Sequence, residues 1–149
     1  MYVKGRITVE TIKVNTHGNK MPEAIVNGDW IDLRSAETVT MEAGEYRVIS
    51  LGISMKLPDG YEAHVVPRSS TFKKWGILLV NSTGIIDNSY CGADDIWGFP
   101  ALAFRKTTIH EGDRICQFRI VKKQPDIKFV EDSLADNKNR GGFGSTGHN

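Results

Sequence analysis

Tyr46-Arg47-Val48-Ile49-Ser50-Leu51-Gly52-Ile53-Ser54-Met55-Lys56-Leu57-Pro58-Asp59-Gly60-Tyr61-Glu62-Ala63-His64-Val65-Val66 decides the fold. Two apolar runs flank the turn signal Pro58-Asp59-Gly60. Tyr46 to Leu57 reads as a strand with Val48, Ile53, Met55 and Leu57 inward. Tyr61 to Val66 returns, so the two are expected to pair as a hairpin. Outward from this pair the pattern repeats. Ile77 to Val80 is a continuous apolar run, expected to be buried on both faces. Phe99 to Phe104 is another strand, and Arg114 to Val121 follows the turn Glu111-Gly112-Asp113. Val3, Ile7 and Val9 alternate with Lys4, Arg6 and Glu10, as in a strand with one wet face. Only Ser69 to Trp75 reads as helix, with serines suited to its N-cap and Gly76 to its C′ position. The fold class is all-β, an antiparallel sandwich or barrel.

The chain has 149 residues and a net charge of +1, with a pI near 7.8. That length suits one domain, and that charge gives no reason to expect a nucleic-acid or membrane surface. No secretory signal and no bilayer-spanning run is evident, so a cytoplasmic location is expected. Cys91 and Cys116 form no disulfide framework or zinc pattern and read as small core residues in a reducing compartment. The four histidines show no ligand spacing.

Three segments carry chemistry. Pro67-Arg68-Ser69-Ser70 lies where a strand feeds a helix N-terminus, whose free N–H groups attract anions. Arg68 adds a planar fork for phosphate oxygens; the plainer reading is a capping serine beside a surface arginine. Asn88-Ser89 reads as the two-residue tip of a hairpin, which would set Asp87 and Tyr90 side by side at the rim of a cleft. The carboxylate would activate water and the ring would pack on a sugar; the plainer reading is a turn-favouring Asp and a half-buried Tyr. The tail Arg140-Gly141-Gly142-Phe143-Gly144-Ser145-Thr146-Gly147-His148-Asn149 has too little apolar surface to fold alone. It reads as an arm that orders over a phosphate-bearing ligand with Phe143 as lid, or more simply as a disordered tail.

Five segments, in order, resemble the motifs of the trimeric dUTP diphosphatase (dUTPase) family, in a phage or Gram-positive-like variant. They are Gly28 to Leu33 (with Ala43-Gly44-Glu45 after it), Pro67 to Ser70, Asn81 to Gly92, Gly112 to Gln117 and Gly141 to Gly147. The resemblance implies a jelly-roll-like β-barrel over 1–136, and a glycine-rich arm over 137–149 that closes the site. It also implies hydrolysis of dUTP to dUMP and pyrophosphate, which limits uracil in DNA and supplies dUMP for dTMP synthesis. Asp87 would deprotonate the water that attacks the α-phosphorus. Asn81 and the backbone of Gly84, Ile85 and Ile86 would read uracil. Tyr90 would pack on the deoxyribose. Arg68, Ser69, Ser70 and Gln117 would hold the phosphates, with Arg140, Phe143, Ser145 and Thr146 from the arm. Asp32 would act near Mg²⁺, through metal-bound water, the metal riding on the triphosphate. The partner implied is a homotrimer that shares each site among its chains.

The chain departs from the family pattern in two places. Many members carry an Arg five positions before the lid Phe; here that position is Lys138, and Arg140 stands three before Phe143. Ala93 to Pro100 is longer and more aromatic than in many members. Asp94 and Asp95 within it read as loop surface, Trp30 and Trp97 as packing residues, and Lys73 and Lys74 as a solvated helix face. A dCTP deaminase would share Pro-Arg-Ser-Ser but needs a base-pocket glutamate, and none lies between Glu62 and Glu111. A regulator that binds a repressor protein, through the Ala93–Pro100 loop, is the other alternative.

Overall fold

Period-two alternation and turn residues yield strands nearly throughout. The computed structural model describes residues 8–24 and 26–144. Along the chain run β1 (Lys13–Asn15), β2 (Ile31–Arg34), β3 (Val39–Met41), β4 (Tyr46–Ser50), β5 (Ser54–Lys56) and β6 (Tyr61–Pro67). Then come α1 (Thr71–Trp75), β7 (Ile77–Leu79), β8 (Gly84–Ile86), β9 (Gly98–Ala103), β10 (Thr107–Ile109) and β11 (Arg114–Lys122). They form a four-stranded sheet β2-β11-β6-β8, a three-stranded sheet β4-β9-β7, and the pairs β1-β5 and β3-β10, all antiparallel. The architecture is the expected jelly-roll-like β fold. No helix among the described residues is long and apolar enough to cross a membrane.

The core lies between the two larger sheets, where Leu33, Val65 and Phe118 meet Ile49, Ile77, Phe99 and Ala101. Trp97 meets Phe118 edge to face at 5.4 Å, which adds about 1 kcal/mol to what burial alone supplies. Among the described residues its indole N–H has no hydrogen-bond partner.

Several expectations need correction. Tyr46 to Leu57 is two strands. The chain bends at Gly52, whose φ of +67° suits glycine, so β4 joins β9 while β5 joins β1. Ile49, Leu51, Ile53, Met55 and Leu57 are all buried, and Val48, one residue out of phase, is exposed. The Pro58–Tyr61 turn is present, its Tyr61 N–H donating to the Pro58 carbonyl, but it joins no hairpin. β6 pairs instead with β11, from Cys116↔Pro67 to Lys122↔Tyr61, a longer ladder than three-residue β5 can offer. β7 is not buried on both faces, because Leu78 and the following Val80 are exposed.

Val9 is exposed and in no strand; Val3 and Ile7 lie outside the described residues. Cys116 is buried, but Cys91 is exposed and not a core residue. Only the first part of the Ala93–Pro100 segment is loop surface, since Trp97 and Phe99 are buried and Gly98 opens β9. Trp97 and Trp30 do pack, Trp30 beneath the Arg119 guanidinium at 5.5 Å.

The helix ends as its sequence suggests. Gly76 is left-handed (φ 63°) and donates its N–H to the Phe72 carbonyl at 2.7 Å. Arg105 donates to the carbonyls of Lys73 and Lys74, favourable for a cation at a helix C-terminus. Its start differs: Ser70 occupies the N-cap but makes no side-chain capping bond. Thr71, the first helical residue, instead ties the segment before the helix to β11, accepting from the Arg68 N–H and donating to the Ile115 carbonyl, both at 2.9 Å.

Candidate active site

One group of site residues gathers where β6 ends. Cross-strand register sets Asp32 of β2 beside Gln117 of β11, and Gln117 beside Val66 of β6. Arg68, two residues on, turns back over this row. Its Nε donates to Asp32 Oδ1 at 2.9 Å, and Arg114 Nη1 donates to Asp32 Oδ2 at 3.1 Å. Gln117 Nε2 donates to the Pro67 carbonyl. Ser69 is exposed and Ser70 half-buried. With no side-chain capping bond at the helix start, both hydroxyls can donate elsewhere. A cleft of about 450 Å³ opens beside this group, lined by Asp32, Arg34, Gly112, Arg114 and the Gly18–Glu23 segment. Two guanidiniums on one carboxylate leave surplus positive charge and unused N–H donors, suited to phosphate. Arg114 was not singled out from the sequence, although it stands directly after a turn and opens β11.

A second group lies on β8. Among the described residues this is an edge strand, paired only with β6, so its outer backbone N–H and C=O groups are open to a partner. Ile85 is exposed on it, and Asn81 is exposed in the turn before it. Asp87 follows β8 and opens a tight turn, with the Tyr90 N–H donating to the Asp87 carbonyl at 3.0 Å. That turn is the expected one, but no strand returns from it along β8. Tyr90 keeps a half-open ring and donates its hydroxyl to the Ile96 carbonyl. Asp87 Oδ1 accepts from the Ser89 hydroxyl at 2.6 Å and from the Ser89 N–H at 2.8 Å. The hydroxyl, then the N–H, hold the Asp87 carboxyl below its ordinary range; slight desolvation opposes them and Lys123 adds to them.

The two groups are far apart in one chain. Ala63 pairs with Ile86, so Asp87 lies level with Glu62. From Glu62 to Arg68 is six residues of extended chain, roughly 20 Å. The arm is a third, separate part. No helix or strand follows Lys122 among the described residues, and Phe143 is fully exposed. Arg140 is exposed too, and Ser145 and Thr146 lie outside the described residues.

Mg²⁺ can be tested against this donor set. No group of three or more His, Cys, Asp or Glu able to hold a metal occurs among the described residues. Asp32 already accepts from two arginines, leaving it lone pairs enough for a metal-bound water but not for a cage. The residues fit a cation carried in by a polyphosphate.

An open β edge that can read a base, a carboxylate turn at its end and an arginine pair for phosphate mark a β-barrel protein that acts on nucleotides. The dUTPase family model matches residues 30–147. The chain is 52% identical over 147 residues to the SPbeta prophage-derived deoxyuridine 5'-triphosphate nucleotidohydrolase of Bacillus subtilis, covering 99% of each. It superposes on the dUTPase of Staphylococcus bacteriophage 80alpha with dUPNHPP at a TM-score of 0.77 and 25% identity, covering 94% of this chain and 100% of that one. Phage dUTPases of that kind control transfer of virulence genes. A mutant dUTPase from phage phi11 of S. aureus, which coordinates a structural Mg(II) ion, matches at a TM-score of 0.72 and 25% identity, covering 83% and 99%. The chain belongs to the dUTPase family.

Proposed function

We propose that this chain hydrolyses dUTP to dUMP and pyrophosphate, in sites assembled from three copies of itself. The observation that carries the reading is the separation of Asp87 from Arg68 along β6. A base that activates water at the α-phosphorus must lie within hydrogen-bond reach of it, as must the group that holds that phosphate. Asp87 of one copy and Arg68 of another meet this demand. Two exposed apolar features support association. On the outer face of β4-β9-β7, Tyr46, Val48, Leu78 and Val80 are exposed, with Leu102 and Pro100 between them in register. The segment after Lys122 exposes Ile127, Phe129 and Val130. The arm over 137–149 is the third contribution.

In this site the open edge of Gly84, Ile85 and Ile86, with Asn81, hydrogen-bonds uracil. The 4-amino group of cytosine puts a donor where uracil has an acceptor, a mismatch of about 1–3 kcal/mol. Tyr90 packs on the deoxyribose and leaves no room for a 2′-hydroxyl. Asp87 takes the proton of the water whose oxygen bonds to the α-phosphorus. The bond from that phosphorus to its bridging oxygen breaks, and pyrophosphate leaves. Arg68, Arg114, Ser69, Ser70 and Gln117 bind the phosphate oxygens. Arg140, Phe143, Ser145 and Thr146 close over them and exclude water. Mg²⁺ carried by the triphosphate would neutralise its charge, and Asp32 would hold it through water. The reaction is assigned to the cytoplasm.

Pyrophosphate release from dUTP, dCTP, dTTP and UTP, side by side with Mg²⁺, tests this. Release from dUTP alone is expected; release from dCTP or UTP at a similar rate overturns the base and sugar assignments. A second reading, a regulator that binds a repressor protein, draws on the exposed Ala93–Ile96 loop and on the role described for the phage 80alpha dUTPases. No release from any nucleotide would favour it.

A further inference from the structure

The turn that carries Asp87 is held more firmly than an exposed two-residue tip requires. Asn88 Nδ2 donates to the carbonyls of Pro58 at 2.8 Å and Tyr61 at 3.2 Å, with Leu57 at 3.4 Å. This pins the tip to the β5–β6 connection. Ser89 then makes two bonds to one atom, Asp87 Oδ1, while Oδ2 has no hydrogen-bond partner among the described residues. An N–H on Oδ1 is available from any residue at this position, as in an ordinary Asx turn. The second bond, at 2.6 Å, needs a hydroxyl.

We infer that Ser89 is a positioning residue for the reaction: by holding Oδ1 it fixes the carboxylate rotamer and leaves Oδ2 as the oxygen that receives the proton of water. This rests on the reading of Asp87 as the base. A solvent-exposed carboxylate otherwise samples several rotamers, and a general base acts only from a near-attack geometry. The charged groups around Asp87 are few. Lys123, directly after β11, lowers the Asp87 pKa further. Glu62 lies level with Asp87 across the ladder, and its Oε2 is engaged by His64 Nε2 at 2.7 Å. With Lys123 the only cation acting on it among the described residues, the Ser89 hydroxyl is the main local influence on the carboxyl, in the direction that keeps it ionised.

The test compares Ser89→Ala, Ser89→Thr and Asp87→Asn in the full chain, by pyrophosphate release from dUTP across pH. Ser89→Ala keeps the backbone bond and so the turn. It should lower kcat about tenfold, less than the roughly hundredfold cost of a 1 Å misplacement. KM should hardly change, and the acid limb of kcat/KM should move to higher pH. Ser89→Thr should restore both kcat and the limb. A Ser89→Ala enzyme with unchanged kcat and an unmoved acid limb, beside an inactive Asp87→Asn, overturns this inference alone. An Asp87→Asn enzyme that turns over like wild type overturns the assignment of the base, and this inference with it.

Discussion

Thr71→Val removes one oxygen from the best-buried polar side chain near the site and changes little else. Thr71 is fully buried, and its hydroxyl bridges the Arg68 N–H and the Ile115 carbonyl. Ile115 sits at the irregularity between Arg114 and Cys116, where β11 slips register against β2. Its carbonyl therefore depends on Thr71 where the ladder fails it. Valine has nearly the same volume, so no cavity opens. Two backbone groups, the buried Ile115 carbonyl and the part-buried Arg68 N–H, lose their partner, at about 1–3 kcal/mol each. A loss near the low end of the sum, about 2–4 kcal/mol, corresponds to roughly 6–12 °C in Tm for a chain of this length. Arg68 would also lose its backbone anchor, so KM for dUTP should rise. Ser70→Ala is the matched control: the N-cap position is the same turn, but Ser70 makes no capping bond, and its stability cost should stay below about 0.5 kcal/mol. Thermal unfolding of both variants at equal protein concentration decides it. A Thr71→Val protein that melts with wild type, or a larger loss for Ser70→Ala, refutes the reasoning.

Gly52→Ala should cost about 2–5 kcal/mol in urea unfolding: a left-handed backbone strains alanine, and its Cβ would lie 2.5 Å from Ala36 Cβ; a loss under about 1 kcal/mol would contradict this. A thiol reagent at pH 8 should modify Cys91 alone in the native protein and Cys116 only after denaturation. Burial, then the Asp32 charge, push the Cys116 thiol far up, and early modification of both thiols would contradict that. Asp32→Asn should cut kcat/KM for dUTP about 10- to 100-fold, because Arg68 and Arg114 lose the carboxylate that aims them; an unchanged value would remove Asp32 from the phosphate group.

Local signals carried far in this chain. Gly76 ends a helix where its φ demands it, and β9 and β11 lie where apolar runs and turns put them. The Asp87–Tyr90 turn is present as well. What was not legible is non-local. Nothing near Tyr61 announces that its partner is Lys122 rather than the preceding strand. The pairing of β6 with β8, equally non-local, decides how far Asp87 stands from Arg68. Val48 and Ile49 are equally apolar and β-branched, and only the register with β9 says which faces inward. Thr71 was overlooked because its partner, the Ile115 carbonyl, lies 44 residues on. The Asp32, Arg68 and Arg114 cluster joins three segments in the same way.

Mixing two dead variants tests the central claim most directly. Asp87→Asn and Arg68→Ala should each be inactive alone. Co-expressed or refolded together, they should recover roughly a quarter of wild-type turnover, because a random trimer then pairs an intact Asp87 from one chain with an intact Arg68 from another at that frequency. A mixture as inactive as its parts, in material shown to contain both chains in one assembly, would mean that each site is built within a single chain, against the roughly 20 Å that the β6 register sets between its two halves.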